Sequence, residues 1–102
     1  MTQKIDPQEA SNKFPAPWQI VNGKPTARWK TDSFKIGAEF VVRIADAADE
    51  MNHHPDVLVT YPSVEVTTIS HDVDGITERD LALAEQVCMI AGELGLASAT
   101  EE

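Results

Sequence analysis

Three histidines, His53, His54 and His71, are the only imidazoles in this chain, and carboxylates flank them in the order Asp49-xxx-His53-His54-Pro55, then Tyr61, His71 and Asp80. Imidazole is the side chain that titrates closest to neutral pH, so gathering every copy at two strand ends points to proton transfer. Two other readings compete for the same residues. Histidines are often plain surface or hydrogen-bonded structural groups. They are also the commonest metal ligands, and Asp49 or Asp56 offers a carboxylate to complete a shell. Adjacent histidines diverge in direction, however, and the chain has neither an H-x-x-x-H helical spacing nor a cysteine pair. General acid–base catalysis without a metal is the third reading, and needs only imidazoles within reach of one substrate.

The elements that must position these residues follow from periodicity. Trp18–Val21 reads as a short strand, and Asn22-Gly23 after it suits a tight hairpin because both positions accept positive φ. Lys24-Pro25 leaves a longer loop open, and Ala27–Thr31 then alternates as a half-buried strand. Asp32 or Ser33 can cap the helix that follows, whose apolar stripe is expected at Phe34, Ala38, Val41, Ile44 or Ala45, and Ala48. The helical pattern fades near Asn52, and Pro55 disfavours helical geometry at His54, so the histidine pair sits where helix gives way to strand. Val57–Tyr61 and Val64–His71 are the next strands, the second placing Val64, Val66, Thr68 and Ser70 on one face. Asp72–Gly75 is a turn. Thr77-Glu-Arg-Asp80 resembles a capping box that opens a second helix, with a stripe of Leu81, Ala84, Val87 or Cys88, Ala91 and Leu94, and with Gly95 as its stop.

The order β-β-α-β-β-α predicts an α+β two-layer sandwich, a four-stranded and largely antiparallel sheet with two helices on one face. Residues 1–16 are expected to form a flexible arm, 17–96 the domain and 97–102 a frayed tail. At 102 residues the chain is one domain. Its formal charge of −9, with 17 acidic against 8 scattered basic residues, argues against direct nucleic-acid binding. No apolar run approaches the ~20 residues of a membrane span, and the start, Met1 to Pro7, lacks a secretory apolar stretch. Cys88 is alone, so an internal disulfide is impossible and a reducing cytoplasm is the expected compartment.

Asp49-xxx-His53-His54-Pro55, Tyr61, His71 and Asp80, with Met51–Asp56 and Ser70–Asp80 carrying most of the specificity, resemble the signature of the pterin-4a-carbinolamine dehydratases. The resemblance covers roughly residues 18 to 94. It departs at Pro17 and Ser70, where relatives usually carry Gly and Thr, and at Thr68 and Ile69. It implies a hydro-lyase that removes water from 4a-hydroxytetrahydropterin, yielding quinonoid dihydropterin in tetrahydrobiopterin recycling beside an aromatic amino-acid hydroxylase. No metal or other cofactor is implied.

By position, His53, His54 and His71 are the catalytic set, with His53 and His71 moving protons and His54 positioning substrate. Asp49 is the orienting carboxylate. Pro55, Ser70, Asp72, Val73 and Trp18 join the three histidines in binding the pterin, Trp18 by stacking. Trp29, Tyr61 and Cys88 are read as packing residues and Asp80 as a helix cap. Mammalian members double as dimerisation cofactors of a homeodomain transcription factor, so the alternative is a protein-interaction module with a secondary or vestigial site. A homodimer or homotetramer is expected, since an open sheet leaves edges that invite pairing.

Overall fold

The computed structural model describes residues 3–99. Its elements, in chain order, are α1 (Pro7–Lys13), β1 (Gln19–Val21), β2 (Lys24–Lys30), α2 (Phe34–Met51), β3 (Asp56–Val59), β4 (Ser63–Thr67), α3 (Glu78–Glu93) and β5 (Ala97–Ser98). The strands form one antiparallel sheet in the order β1-β2-β4-β3, with β5 also paired to β2. This is the expected α+β sandwich, with one helix and one short strand added at its ends.

The hairpin between β1 and β2 is the tight one. Val21 pairs with Lys24, and Asn22 and Gly23 between them take φ of 52° and 79°. Both angles lie in the left-handed region that this dipeptide tolerates and most others do not.

One face of the sheet is apolar. Ala27 and Trp29 of β2 stand opposite Val66 and Val64 of β4, which in turn face Val57 and Val59 of β3. The other face carries Thr26, Arg28, Glu65, Thr67 and Leu58, so the sheet has one buried side only. An aromatic chain extends the core, with Phe14–Trp18, Trp18–Trp29 and Trp29–Phe40 ring centroids 6.3, 6.0 and 5.5 Å apart.

Helix α2 meets this face through Gly37, Phe40, Ile44 and Ala48. Its buried stripe is therefore turned from the expected one, and Phe34, Ala38 and Ala45 face outward. Apolar residues ring most of this helix, and burial is decided by the closest approach to the sheet. At Gly37, an added Cβ would lie 3.2 Å from Val64 Cγ2 and 3.3 Å from Val59 Cγ1. Ser33, rather than Asp32, caps the helix by accepting the Ile36 N–H at 3.2 Å. Helix α3 buries Leu83, Ala84, Val87, Ile90 and Ala91 and ends in a glycine-dependent cap, the Leu96 N–H reaching Ala91 O at 2.9 Å past Gly95 at φ 71°.

The segment expected as a flexible arm contains α1. Asp6 accepts the Gln8 N–H at 3.0 Å, Pro7 takes the first helical position, and Ala10 and Phe14 are buried. Ile5 adds a backbone bridge to Ile76, with N–H to O at 2.6 Å. In the segment expected to fray, Ala97 and Ser98 pair with Lys30 and Trp29, while 100–102 lie outside the described residues. Strand β4 stops at Thr67 rather than His71, but its alternation persists. Val64, Val66, Thr68 and Ser70 are all fully buried.

Candidate active site

Helix α2 ends at Met51 and is capped by Asn52, whose φ of 54° is left-handed, and the His53 N–H turns back to Ala48 O at 3.0 Å. This pins the His53 backbone to the helix end, and half-buried Pro55 starts the run into β3. The His53 ring is buried, with Nε2 2.7 Å from Asp80 Oδ1.

Asp80 is completely buried and receives donors from three chain segments. Besides His53, the Thr68 hydroxyl donates to Oδ1 at 2.6 Å, the Ser70 hydroxyl donates to Oδ2 at 2.9 Å, and the Thr77 N–H donates to Oδ2 at 2.9 Å. A buried carboxylate is costly without such partners. Every partner here can donate, so Asp80 acts as a pure acceptor, as an ionised carboxylate does. In a neutral His53 ring the proton then sits on Nε2, and Nδ1 carries the lone pair.

The capping box expected at Thr77 is present, and the carboxylate that closes it is the one that holds His53. Asp80 is thus more than a cap. The sequence held two signals of this. One is Asp where a capping box usually has Glu. The other is a pair of hydroxyl residues, Thr68 and Ser70, on the inward side of a strand whose other inward residues are valines. Polar groups on a buried face need a partner.

His54 points elsewhere. Its Nε2 lies 2.9 Å from Asp49 Oδ1, and both side chains are more than half exposed. Asp49 therefore orients His54, while His53 is held by Asp80. His71 follows Ser70 directly and opens a tight turn, in which the Ser70 N–H donates to Gly75 O at 2.9 Å and the Gly75 N–H returns to Ser70 O at 3.2 Å. The His71 ring is exposed and has no hydrogen-bond or ion-pair partner among the described residues. Because Ser70 and His53 touch the two oxygens of one carboxylate, the segments bearing His53 and His71 are tied at Asp80.

Asp72 and Val73 lie in that turn, and the Asp72 carboxylate accepts from Arg79 Nη2 at 2.8 Å. That hydrogen bond, with the guanidinium charge beside it, holds Asp72 below the ordinary carboxylate range.

Trp18 is placed differently from expectation. Only 6% exposed, it is packed between Phe14 and Trp29, which leaves little of its face for a ligand. Tyr61 does not pack on the sheet, since it stands exposed in the turn before β4. Cys88 is half-buried against Ala16, and burial pushes its thiol above the ordinary value. Among the described residues, no three His, Cys, Asp or Glu side chains gather as a metal-binding group. No helix in those residues is long and apolar enough to cross a membrane.

Fold and site together define a two-layer α+β protein with a carboxylate-anchored histidine, His53, where helix passes to strand. The family model for Pterin 4 alpha carbinolamine dehydratase matches residues 3–90. A protein of Herpetosiphon aurantiacus named "Putative pterin-4-alpha-carbinolamine dehydratase" is 43% identical over 70 residues, covering 69% of this chain and 73% of the relative. A protein of the same name from Mycobacterium tuberculosis is 36% identical over 75 residues, covering 74% and 80%. Among solved structures, a transcriptional coactivator/pterin dehydratase from Brucella melitensis superposes with a TM-score of 0.80 at 28% identity, covering 88% of this chain and all of its own. The chain belongs to the pterin 4 alpha carbinolamine dehydratase family.

Proposed function

We propose that this protein is a hydro-lyase that dehydrates 4a-hydroxytetrahydropterin to quinonoid dihydropterin and water. The observation that carries the reading is His53, buried and fixed in one tautomer by Asp80, on a segment tied through that carboxylate to the one bearing His71. Hydroxide is a poor leaving group, so an acid must protonate the 4a oxygen as the C4a–O bond breaks. The lone pair on the neighbouring ring nitrogen, N5, forms the C4a=N5 bond, and a base removes the N5 proton. Water leaves, one imidazole has lost a proton and the other has gained one, and exchange with solvent restores both.

His53 suits the base, because its Asp80-bound Nε2–H leaves Nδ1 as the free acceptor. His71, exposed and unpaired among the described residues, suits the acid, since solvent can reprotonate it. His54, steered by Asp49, serves to position the ring, with Pro55, Asp72 and Val73 on the same two segments beside it, while Ser70, fully buried, acts through Asp80 instead. Each proton-transfer group contributes on the order of 10²–10⁴-fold to such a reaction. Stopped-flow absorbance on synthetic carbinolamine tests the reading. Catalysis should be plain in the wild-type protein and strongly slowed in His53→Ala and His71→Ala, and a wild-type rate equal to the uncatalysed one refutes it.

A second reading, self-association and protein binding, is favoured by the outward apolar side of α2. Phe34 and Val42 are 58% and 61% exposed there, with Ala38 and Ala45 alongside. Such a surface fits the homodimer or homotetramer expected of the chain. The name transcriptional coactivator belongs to the Brucella protein. Sedimentation of wild-type protein against Val42→Glu tests this reading, which predicts an oligomer that the glutamate dissociates.

A further inference from the structure

We propose that Arg79 is a positioning residue that holds the His71 turn in register with the His53–Asp80 pair, an inference that rests on the dehydratase reading of this site. Arg79 occupies the first turn of α3, where the unpaired backbone N–H groups already make the helix end positive. A cation is disfavoured there unless something compensates it. The compensation is Asp72, one residue beyond His71, whose carboxylate accepts from Arg79 Nη2 at 2.8 Å. The same guanidinium donates from Nε to Thr77 Oγ1 at 3.4 Å, and Thr77 Oγ1 lies 2.7 Å from Ser70 Oγ.

The contacts therefore run without a break from one histidine to the neighbour of the other, as His53, Asp80, Ser70, Thr77, Arg79 and Asp72. The inner part of that chain is buried and pinned by several bonds. Its outer part is not. Beyond the Ser70–Gly75 bridge, the backbone-to-backbone bonds inside the turn are long, Val73 N–H to Ser70 O and Asp74 N–H to His71 O, both 3.3 Å. Arg79 is the one side chain among the described residues that hydrogen-bonds to Asp72. A proton-transfer group displaced by even ~1 Å loses much of its effect, so a tether at the neighbouring residue has kinetic weight beyond its small contribution to stability.

The test compares wild-type protein with Arg79→Met, Arg79→Lys, Asp72→Asn and the Arg79→Met/Asp72→Asn double variant, by dehydration kinetics and by amide hydrogen exchange. Arg79→Met keeps most of the aliphatic stem and removes the fork. It should lower kcat about five- to tenfold with KM within about twofold, because Arg79 itself is not among the residues assigned to the pterin while the acid wanders. Exchange at the Val73 and Asp74 amides should quicken by about tenfold. Arg79→Lys should recover part of the loss, since an ammonium can reach Asp72 without also holding Thr77. Asp72→Asn should share the defect, and the double variant should be no worse than either single one.

Wild-type kcat and unchanged turn exchange in Arg79→Met overturn the proposal, as does a loss of kcat that Asp72→Asn does not share. Should the wild-type protein catalyse no dehydration, the reading of the site falls, and the exchange measurement alone decides whether Arg79 anchors the turn.

Discussion

Replacing Asp80 with asparagine exchanges one heavy atom and separates the two tasks of this side chain. The carboxylate accepts from His53 and Thr68 on Oδ1 and from Ser70 and Thr77 on Oδ2. An amide has one oxygen for these four donors. With the NH2 group in the Oδ2 place, it meets the Thr77 backbone N–H, a donor that cannot reverse, at a cost of about 1–3 kcal/mol for a buried unsatisfied group. With the NH2 group in the Oδ1 place, the Thr68 hydroxyl can turn to accept. The His53 ring can accept too, provided its proton moves from Nε2 to Nδ1. The second arrangement is the cheaper, so Asp80→Asn should fold, lose roughly 1 kcal/mol, and invert the His53 tautomer.

The base would then present N–H where a lone pair is required. Dehydration should slow by on the order of 10²–10⁴-fold, the full general-base contribution. Stopped-flow kinetics read the rate, and imidazole ¹⁵N shifts report which nitrogen carries the proton. A variant with near-wild-type kcat and His53 still protonated on Nε2 would refute the reasoning, because the carboxylate would then be a helix cap and nothing more.

His71→Ala should abolish most activity and leave Tm within a degree or two, as its exposed ring touches no described partner, whereas His53→Ala should also lower Tm by removing a donor from buried Asp80. Circular-dichroism melts of the two variants make that comparison. Gly37→Ala gains up to ~1 kcal/mol of helix propensity but crowds Val64 and Val59 at 3.2 and 3.3 Å, so a net loss of about 1 kcal/mol is expected in urea titration. Asp72 titrates below its ordinary 3.8 because of Arg79. A depressed folded-state value means that the link stabilises above the unfolded pKa and is lost as pH falls through the folded one. The turn should therefore stay tethered across the neutral range and loosen only below the usual carboxylate range, whereas in Arg79→Met the carboxyl ¹³C titration should return to the ordinary value. Burial raises the Cys88 thiol, so alkylation at neutral pH should be much slower in the native protein than in urea.

The placing of the histidine pair and of Asp80 relative to the helices could be read from the sequence, because these residues sit at punctuation marks of the chain. Pro55 after the histidine pair and Thr77 before α3 are local signals with local causes. What could not be read was long-range. Nothing near His53 in the chain indicates that its partner is Asp80 rather than Asp49, since that choice depends on how α3 packs against α2. Helix α1 had a start signal, Asp6-Pro7, but its only buried residue is Ala10, with Phe14 just beyond, too few for a periodic pattern. The α2 stripe was misplaced for the opposite reason. Phe34, Ile36, Ala38, Val41, Val42 and Ala45 offer apolar groups in nearly every direction, and only contact with Val59 and Val64 selects Gly37 and its neighbours. Trp18 followed the general rule for large aromatics in small domains, and the core claimed it.

The double duty of Asp80 has a consequence for how this protein can change over time. The atoms that start α3 are the atoms that set the state of the base, so a substitution that breaks the cap also disturbs the base. A lineage that abandoned the chemistry would still be obliged to keep an acid or its amide at that place, or to rebuild Thr68, Ser70 and Thr77 with it. The aspartate alone is therefore a poor sign of a working enzyme, and the imidazole opposite is the better one.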